Sequence, residues 1–456
     1  MFKKLRQLKI KPGIIYTFLS ALVIVGGTIA AIQYAKGNYR FTNSGFVKET
    51  GLLSANSAPT GAQVFIDGKL VTATDDTLYL EPGVYEVELK KDGYTPWKKT
   101  MTLEKELVAQ TNALLFPSAP SLSPLTFTGV ENVSPSPDGN KLIYYTASAS
   151  SQTQNGLYLL EMSSNVLPFQ KDARQIAQDS SVFDLATADF IWSPDSNEVM
   201  VISNDRMALL DLSRNQNIDD LPDVTFRQRQ ILSNWEEEMY LRERQFLAEF
   251  PEEIIAYATE SARNVYLSPD KKRLMYTALT AFTLDESIMP PVPATNTQPE
   301  KRELVPYEIY VYDREEDKNF LIGTEPTQEE NIEFPQKRLL ATDLYQREPL
   351  TLEASPSAFA RLQATESART ASNFRTYHTS LYSNTYQWFP DSRHIIHTPE
   401  ENQVQIMEYD GTNNTTVFAA TFDRNFVYPW PNGSSLLVLT SFSPNVPANL
   451  YAIDLK

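Results

Sequence analysis

His394 and His397, in RHIIHTPEE with Glu400 and Glu401 just behind them, are residue types that ligate a divalent metal. They sit in an apolar run that reads as a strand, where positions three apart face opposite sides, so the two imidazoles do not close on one ion. Carboxylates are the other reactive stock. WEEEMYLRERQFLAEFPEE is dense in them, and glycoside hydrolysis needs only two, but a solvated helix face accounts for the run more simply. The acidic runs DDTLYLE and DREEDKN lack the spacing of a calcium loop. No Gly-x-Ser-x-Gly elbow, Walker loop or His-Glu-x-x-His occurs, and SPDGN fails the Ser-x-Asp-x-Gly box because its glycine directly follows the aspartate. No catalytic, cofactor-binding or metal residue is assigned, and no cofactor is expected.

What the sequence does repeat is a turn. SPSPDGNKLIYYTA, IWSPDSNEVMVIS, YLSPDKKRLMYTA, QWFPDSRHIIHTP and YPWPNGSSLLVLT place Pro137, Pro194, Pro269, Pro390 and Pro431 before Asp138, Asp195, Asp270, Asp391 and Asn432. Proline presets φ near −65° at the first central position, the Asp or Asn side chain hydrogen-bonds backbone two residues on, and the next residue takes up a strained conformation. An aromatic or apolar residue, Trp192, Leu267, Phe389 or Trp430, ends the preceding strand; Ser136 holds that place in the first repeat. Each turn opens a strand, and a polar gap then leads to another: GLYLLEM, MALLDL, YEIYVYD, VQIMEYD and NLYAIDL. Strand, turn, strand, gap, strand is a propeller blade once an outer strand is added.

These repeats resemble those of the TolB-type, WD-like β-propeller. The resemblance implies one propeller over residues 118–456, with five recognisable blades, more if degenerate ones count. The turn residues are 57, 75, 121 and 41 positions apart, where an uninterrupted blade takes about 40 to 50, so insertions are expected. The longest spacing has room for a degenerate blade, with 331–352 as its strands. The last repeat ends at the C-terminus, so ring closure should pair a strand near PLTFTG with it.

Three insertions interrupt the blades. The first, about 216–263, is helical: Leu232, Trp235, Met239, Phe246 and Phe250 fall near helical spacing, and Glu238 and Arg242 are an i, i+4 pair. Its apolar stripe is expected to pack on the propeller; the alternative is a helix that docks a partner through Trp235, Met239 and Phe246. The second, 279–305, is proline-rich, and the third, 353–384, is rich in Ser, Thr and Ala.

Residues 14–34 carry no charge and are long enough to cross a hydrocarbon core of roughly 30 Å. Lys3, Lys4, Arg6, Lys9 and Lys11 precede them, with no acid in the tail, 1–13, which keeps the N-terminus cytoplasmic and the bulk of the chain outside the cell membrane. The run is longer than the apolar region of a cleaved signal peptide, so an uncleaved, single-pass anchor is expected. Gly26, Gly27, Ala30 and Ala31 read as ordinary small residues of a membrane helix.

After a linker, 35–52, residues 53–117 alternate apolar with polar at Val64 and Ile66, Leu78 and Leu80, and Tyr85, Val87 and Leu89, with Asp67-Gly68, Pro82-Gly83 and Asp92-Gly93 between. A small antiparallel sandwich is the reading. Pro59-Thr60-Gly61-Ala62, VFIDG, LEPGVYEVELKKDGY and Trp97 resemble the PEGA domain, a β-sandwich of envelope proteins without catalytic residues, although ATDDT stands where a Gly-x-Thr-Pro is usual. The resemblance implies a spacer or contact role. Tyr94 and Trp97 are either a contact patch or part of the core.

The fold class is therefore mainly β: an N-terminal transmembrane helix, a small sandwich and a propeller with a helical insertion. Net charge is −17, and without the tail about −22, which repels nucleic acid and anionic headgroups. Without cysteine, the external part is held by core packing alone. The expected function is that of a non-enzymatic, membrane-anchored extracytoplasmic scaffold or binding protein, in contact with an envelope protein or cell-wall polymer. The alternative is an enzyme acting on envelope polysaccharide through carboxylates in the propeller funnel.

Overall fold

The computed structural model describes residues 12–35, 39–41, 47–105, 107–162, 173–203, 206–290, 296–325, 386–399, 402–424, 426–443 and 446–456. The uncharged N-terminal run forms α1, Pro12–Ala35, 24 residues with proline at the first helical position, where a missing N–H costs nothing. Its described side chains, at 16–29, 31 and 32, are all exposed. Among the described residues no helix is long and apolar enough to cross a membrane. The described residues fall into two compact units, one within residues 1–92, 96–115 and 294–298 and the other within 93–95, 116–293 and 299–456.

The first unit is the expected sandwich. One sheet has four antiparallel strands in the order Lys69–Ala73, Gln63–Ile66, Gly83–Lys90, Trp97–Leu103; the other has three, Val108–Gln110, Gly51–Ala55, Asp76–Leu80. Asp67 and Gly68 both have positive φ, 47° and 75°, the two-residue hairpin whose twist matches its strands. Val64, Ile66, Val87, Leu89 and Trp97 are buried, so Trp97 belongs to the core, while Tyr94 and Tyr85 are half-buried. One expectation is corrected: the unit is not wholly antiparallel. Val108–Gln110 runs parallel to Gly51–Ala55, and Ala113–Leu114 parallel to Ser57–Ala58. The chain crosses over after Trp97–Leu103 and so returns beside its first strand in the same direction.

Among the described residues the second unit is a ring of five blade sheets, with a small two-stranded sheet, Phe282–Thr283 and Glu303–Leu304, beside them. Blade 1 is Glu131–Pro135, Lys141–Thr146, Gly156–Glu161 and Arg174–Gln178. Blade 2 is Asp189–Trp192, Glu198–Ser203 and Arg206–Asp211; blade 3 is Ala262–Leu267, Arg273–Ala278, Glu308–Asp313 and Lys318–Thr324. Blade 4 is Gln387–Trp388, His394–His397, Gln403–Glu408 and Thr415–Ala419; blade 5 is Val427–Pro429, Ser435–Thr440 and Asn449–Asp454. Blade 5 is completed from the other end of the chain by Leu122–Pro124, which pairs antiparallel with the last strand, Leu122 opposite Ile453 and Pro124 opposite Tyr451. Closure therefore occurs where the repeat pattern places it, and it covers the edge of the last strand, Asn449–Asp454.

Cores lie between blades. Ile143 and Leu157 meet Trp192, Val199 and Val201 of the next blade; Leu142 and Tyr144 meet Tyr428 and Leu437 across the closure; Met275 and Val311 meet Trp388 and Ile395. Blade 2 has three strands instead of four, and helices follow it: α2, Gln228–Leu247, and α3, Glu252–Glu260. A single helix was the expectation for 216–263; Pro251, whose ring cannot continue a helix, divides it in two, and Phe250 falls in the break. Leu232 of α2 is 2% exposed and packs with Met200 and Ile202 of blade 2, and Ile254, Tyr257 and Ala258 of α3 pack on blade 3. Residues 331–352 and 353–384 lie outside the described residues, as does the blade expected there.

Candidate functional site

The five repeated turns are built alike. Ser193 O accepts from Ser196 N at 2.9 Å, so Pro194 and Asp195 are the central residues, and Ser196 follows with φ 57°. Gly139, Lys271, Ser392 and Gly433 occupy the same position with φ between 62° and 75°. The serine before the proline does work the sequence did not announce. Its hydroxyl donates to the aspartate, Ser136 to Asp138 at 2.5 Å, Ser193 to Asp195 and Ser268 to Asp270 both at 2.6 Å, and it accepts from the first backbone N–H of the second strand. Hydrogen bonds from Ser193 and Asn197 hold the Asp195 carboxyl below its ordinary range. In blade 4, Phe389 replaces that serine, and His394 Nδ1 meets Asp391 Oδ2 at 2.6 Å instead. In blade 5, Asn432 Oδ1 accepts from Ser434 N at 2.9 Å.

The turns also join blades. The residue three beyond the aspartate reaches the positive-φ residue of the next turn: Lys141 Nζ donates to Ser196 O at 2.7 Å, and Arg273 Nη1 to Ser392 O at 3.1 Å. Two tryptophans repeat a second latch, Trp192 Nε1 to Ser134 Oγ at 2.9 Å and Trp388 Nε1 to Tyr266 O at 3.2 Å, each three residues before the proline of the preceding blade. The Pro and Asp positions are thus scaffold, at one end of the ring.

The two histidines part company as strand geometry requires. His394 is buried edge-on to Phe116 and Phe389, whereas His397 stacks on Tyr386 at 5.0 Å and meets Asn414 Oδ1 through Nε2 at 3.1 Å. Burial would depress the His394 pKa, but the Asp391 charge and hydrogen bond, with Glu408 beyond, hold it above the ordinary value; burial lowers that of His397. Among the described residues no group of three or more His, Asp or Glu is placed to hold a metal ion. The DREEDKN run is spent on structure: Asp313 Oδ2 accepts from Arg273 Nε at 2.7 Å, and Asp317 accepts from Tyr312 Oη at 2.8 Å and Ile288 N at 2.9 Å. On α2, Glu238 pairs with Arg242 at 2.9 Å, as its spacing implies, on the solvated face. Glu325, beside the innermost strand of blade 3, is held by Arg263, Asn264 and Thr277.

Trp235, Met239 and Phe246 are half-buried. Trp235 packs against the blade 2 cluster and Phe246 against that of blade 3, where Lys271 Nζ also lies 5.3 Å from its ring centre. Arg242 Nη1 donates to Pro194 O at 3.1 Å, which ties α2 to the turn of blade 2.

Exposed apolar side chains lie at the other end of the ring. Phe127, Leu279, Phe282, Val305, Phe442 and Val446 are exposed; all but Phe282, which lies in the short strand Phe282–Thr283, stand in connections opposite the repeated turns. Singly they carry no periodic signal, so sequence reasoning missed them. A polar hollow of about 420 Å³, lined by Tyr145 and residues 179–185, opens at the same end.

Residues 50–117 match the PEGA domain family. No curated protein matches the chain by sequence. Solved structures similar to it include putative TolB from Agrobacterium tumefaciens, 11% identical over 70% of this chain and 76% of that one with a TM-score of 0.20. TolB from Acinetobacter baumannii is 12% identical over 81% and 60%, with a TM-score of 0.20. Oligogalacturonate lyase from Vibrio parahaemolyticus is 9% identical over 74% and 93%, with a TM-score of 0.28. At these values the likenesses add nothing to a fold that rests on the five sheets and their closure.

Proposed function

We propose that the chain is a membrane-anchored, extracytoplasmic binding protein without catalytic activity of its own. In this reading α1 holds it in the cell membrane with the N-terminus cytoplasmic, the PEGA domain is a stalk, and the propeller contacts an envelope protein or a cell-wall polymer. The observation that carries the reading is α1 itself. Tyr16, Phe18, Leu19, Leu22, Val23, Ile24, Val25, Ile29 and Ile32 point in every direction around the helix and all are exposed. A helix apolar all round is stable where something apolar surrounds it, and lipid supplies that here. The basic residues before it set the orientation. Exposed aromatic side chains on the loops of a closed, rigid ring support the binding role.

Co-sedimentation of the detergent-solubilised protein with cell-wall sacculi, beside a pull-down from solubilised membranes, tests the role. Retention of a partner or pelleting with the wall, without release of wall fragments, is expected. Release of soluble saccharides on incubation would overturn it in favour of an enzyme.

A further inference from the structure

The loop end of the propeller brings an apolar patch and an acidic hollow side by side. Thr126 and Gly129 flank Phe127 and are both fastened to Asn449, whose Oδ1 accepts from Thr126 Oγ1 at 3.1 Å and from Gly129 N at 3.0 Å. Gly129 has φ 78°, and a Cβ there would stand 2.8 Å from Pro447, so only glycine lets the two loops meet this closely. On the facing loop Phe442 lies edge-on to Tyr451 at 5.1 Å, and Val446 N donates to Ser443 O at 3.1 Å. Phe127, Phe442 and Val446 are left 80%, 64% and 53% exposed.

A hydrogen bond links the Phe127 loop to blade 1, which carries the hollow. Thr146 Oγ1 donates to Thr128 O at 2.7 Å, and the neighbouring Tyr145 donates through its hydroxyl to Asp179 Oδ1 at 3.1 Å, at the wall of the hollow. Asp179 and Asp184 line the hollow with Tyr145, and Glu131 stands opposite Tyr145 in the blade 1 register; burial, and then the charges of Asp179, Glu131 and Asp184, push the Tyr145 phenol up to about 12. Their known partners are neutral: Asp179 accepts from Tyr145 and Ser180 N, and Asp184 from Thr187 Oγ1. The surface thus offers aromatic area beside negative potential, on a chain whose net charge is −17.

Building on the binding role proposed above, we infer that this end of the propeller docks a basic, apolar segment of a partner protein. A Lys or Arg side chain enters the hollow of Asp179 and Asp184, and its apolar neighbours lie on Phe127, Phe442 and Val446. Charge decides the class of occupant: anionic lipid and acidic polymer are repelled by the same carboxylates that attract the cation.

The test is fluorescence anisotropy on the full chain in neutral detergent, with a labelled peptide of alternating Lys and Leu and its counterpart with Glu for Lys. The basic peptide is expected to bind and the acidic one not. Phe127→Ser with Phe442→Ser, and separately Asp179→Asn with Asp184→Asn, should each weaken binding by about tenfold, whereas Glu237→Gln with Glu238→Gln on α2 should leave it within about twofold. Thermal unfolding confirms that each variant folds. An equal loss in the α2 variant would reduce the effect to bulk charge and overturn the inference, as would an unaffected aromatic pair or no peptide binding. None of these failures touches the membrane anchor, and loss of the anchor would not touch the peptide site.

Discussion

Asn449→Ala is the sharpest perturbation of ring closure. The side chain is buried, accepts from Thr126 Oγ1 and Gly129 N, and donates from Nδ2 to Pro447 O at 3.2 Å. Each such bond contributes about 0.5 to 1.5 kcal/mol net, and a buried N–H left bare costs more, so the substitution should cost roughly 3 kcal/mol. A propeller of this size unfolds with an entropy of roughly 0.7 kcal/mol per kelvin, taking ~2.1 cal/mol/K per residue, so the midpoint should fall by about 4 °C. Differential scanning calorimetry reads it directly. Because the first and last strands are one sheet, the transition should stay single. A midpoint within about 1 °C of the parent would refute the assignment of closure energy to this residue, and a new, separate low-temperature transition would show that the ring does not unfold as a unit.

Two further outcomes follow from the packing and charge of the same unit. Leu232→Ala should destabilise the propeller by about 2 to 5 kcal/mol in urea unfolding, because α2 is core for blade 2; a change under about 0.5 kcal/mol would return the helix to the role of a free docking element. His394 has a raised folded pKa, so the stability it contributes through Asp391 is fully present below the unfolded value of about 6.5 and is lost as pH rises through the folded one. Between about pH 6 and 9 the midpoint of the parent should therefore decline relative to that of His394→Asn, and parallel profiles would contradict the charged pair. Asp391, held low, contributes only its acid-side loss, and His397, held low by burial, slopes the opposite way in both proteins, so neither disturbs the comparison.

The turns were legible because their chemistry is local. Pro194 sets one torsion, and Asp195 bonds to Asn197 N at 3.1 Å, two residues on. Five copies made a ring readable. The latches were not legible, since Lys141 and Ser196 are 55 positions apart and only the ring brings them together. Nor does His394 in the sequence say that it replaces a serine five residues back; that exchange depends on the aspartate between them. The parallel strand Val108–Gln110 escaped for a related reason, because alternation reports which side is buried and not which way the partner runs. Phe127 and Phe442 were invisible as exposed side chains at one end of the ring, since neither has a periodic neighbour and only the closure brings their loops to the same sheet.

Protease shaving of intact spheroplasts, with carbonate extraction of their membranes, tests the central claim most directly. Anchored by α1 and facing outward, the chain should stay in the carbonate-washed membrane, leave it only in detergent, and lose everything beyond Tyr34 to external protease. Release into the carbonate supernatant, or digestion only after the spheroplasts are lysed, would contradict the account.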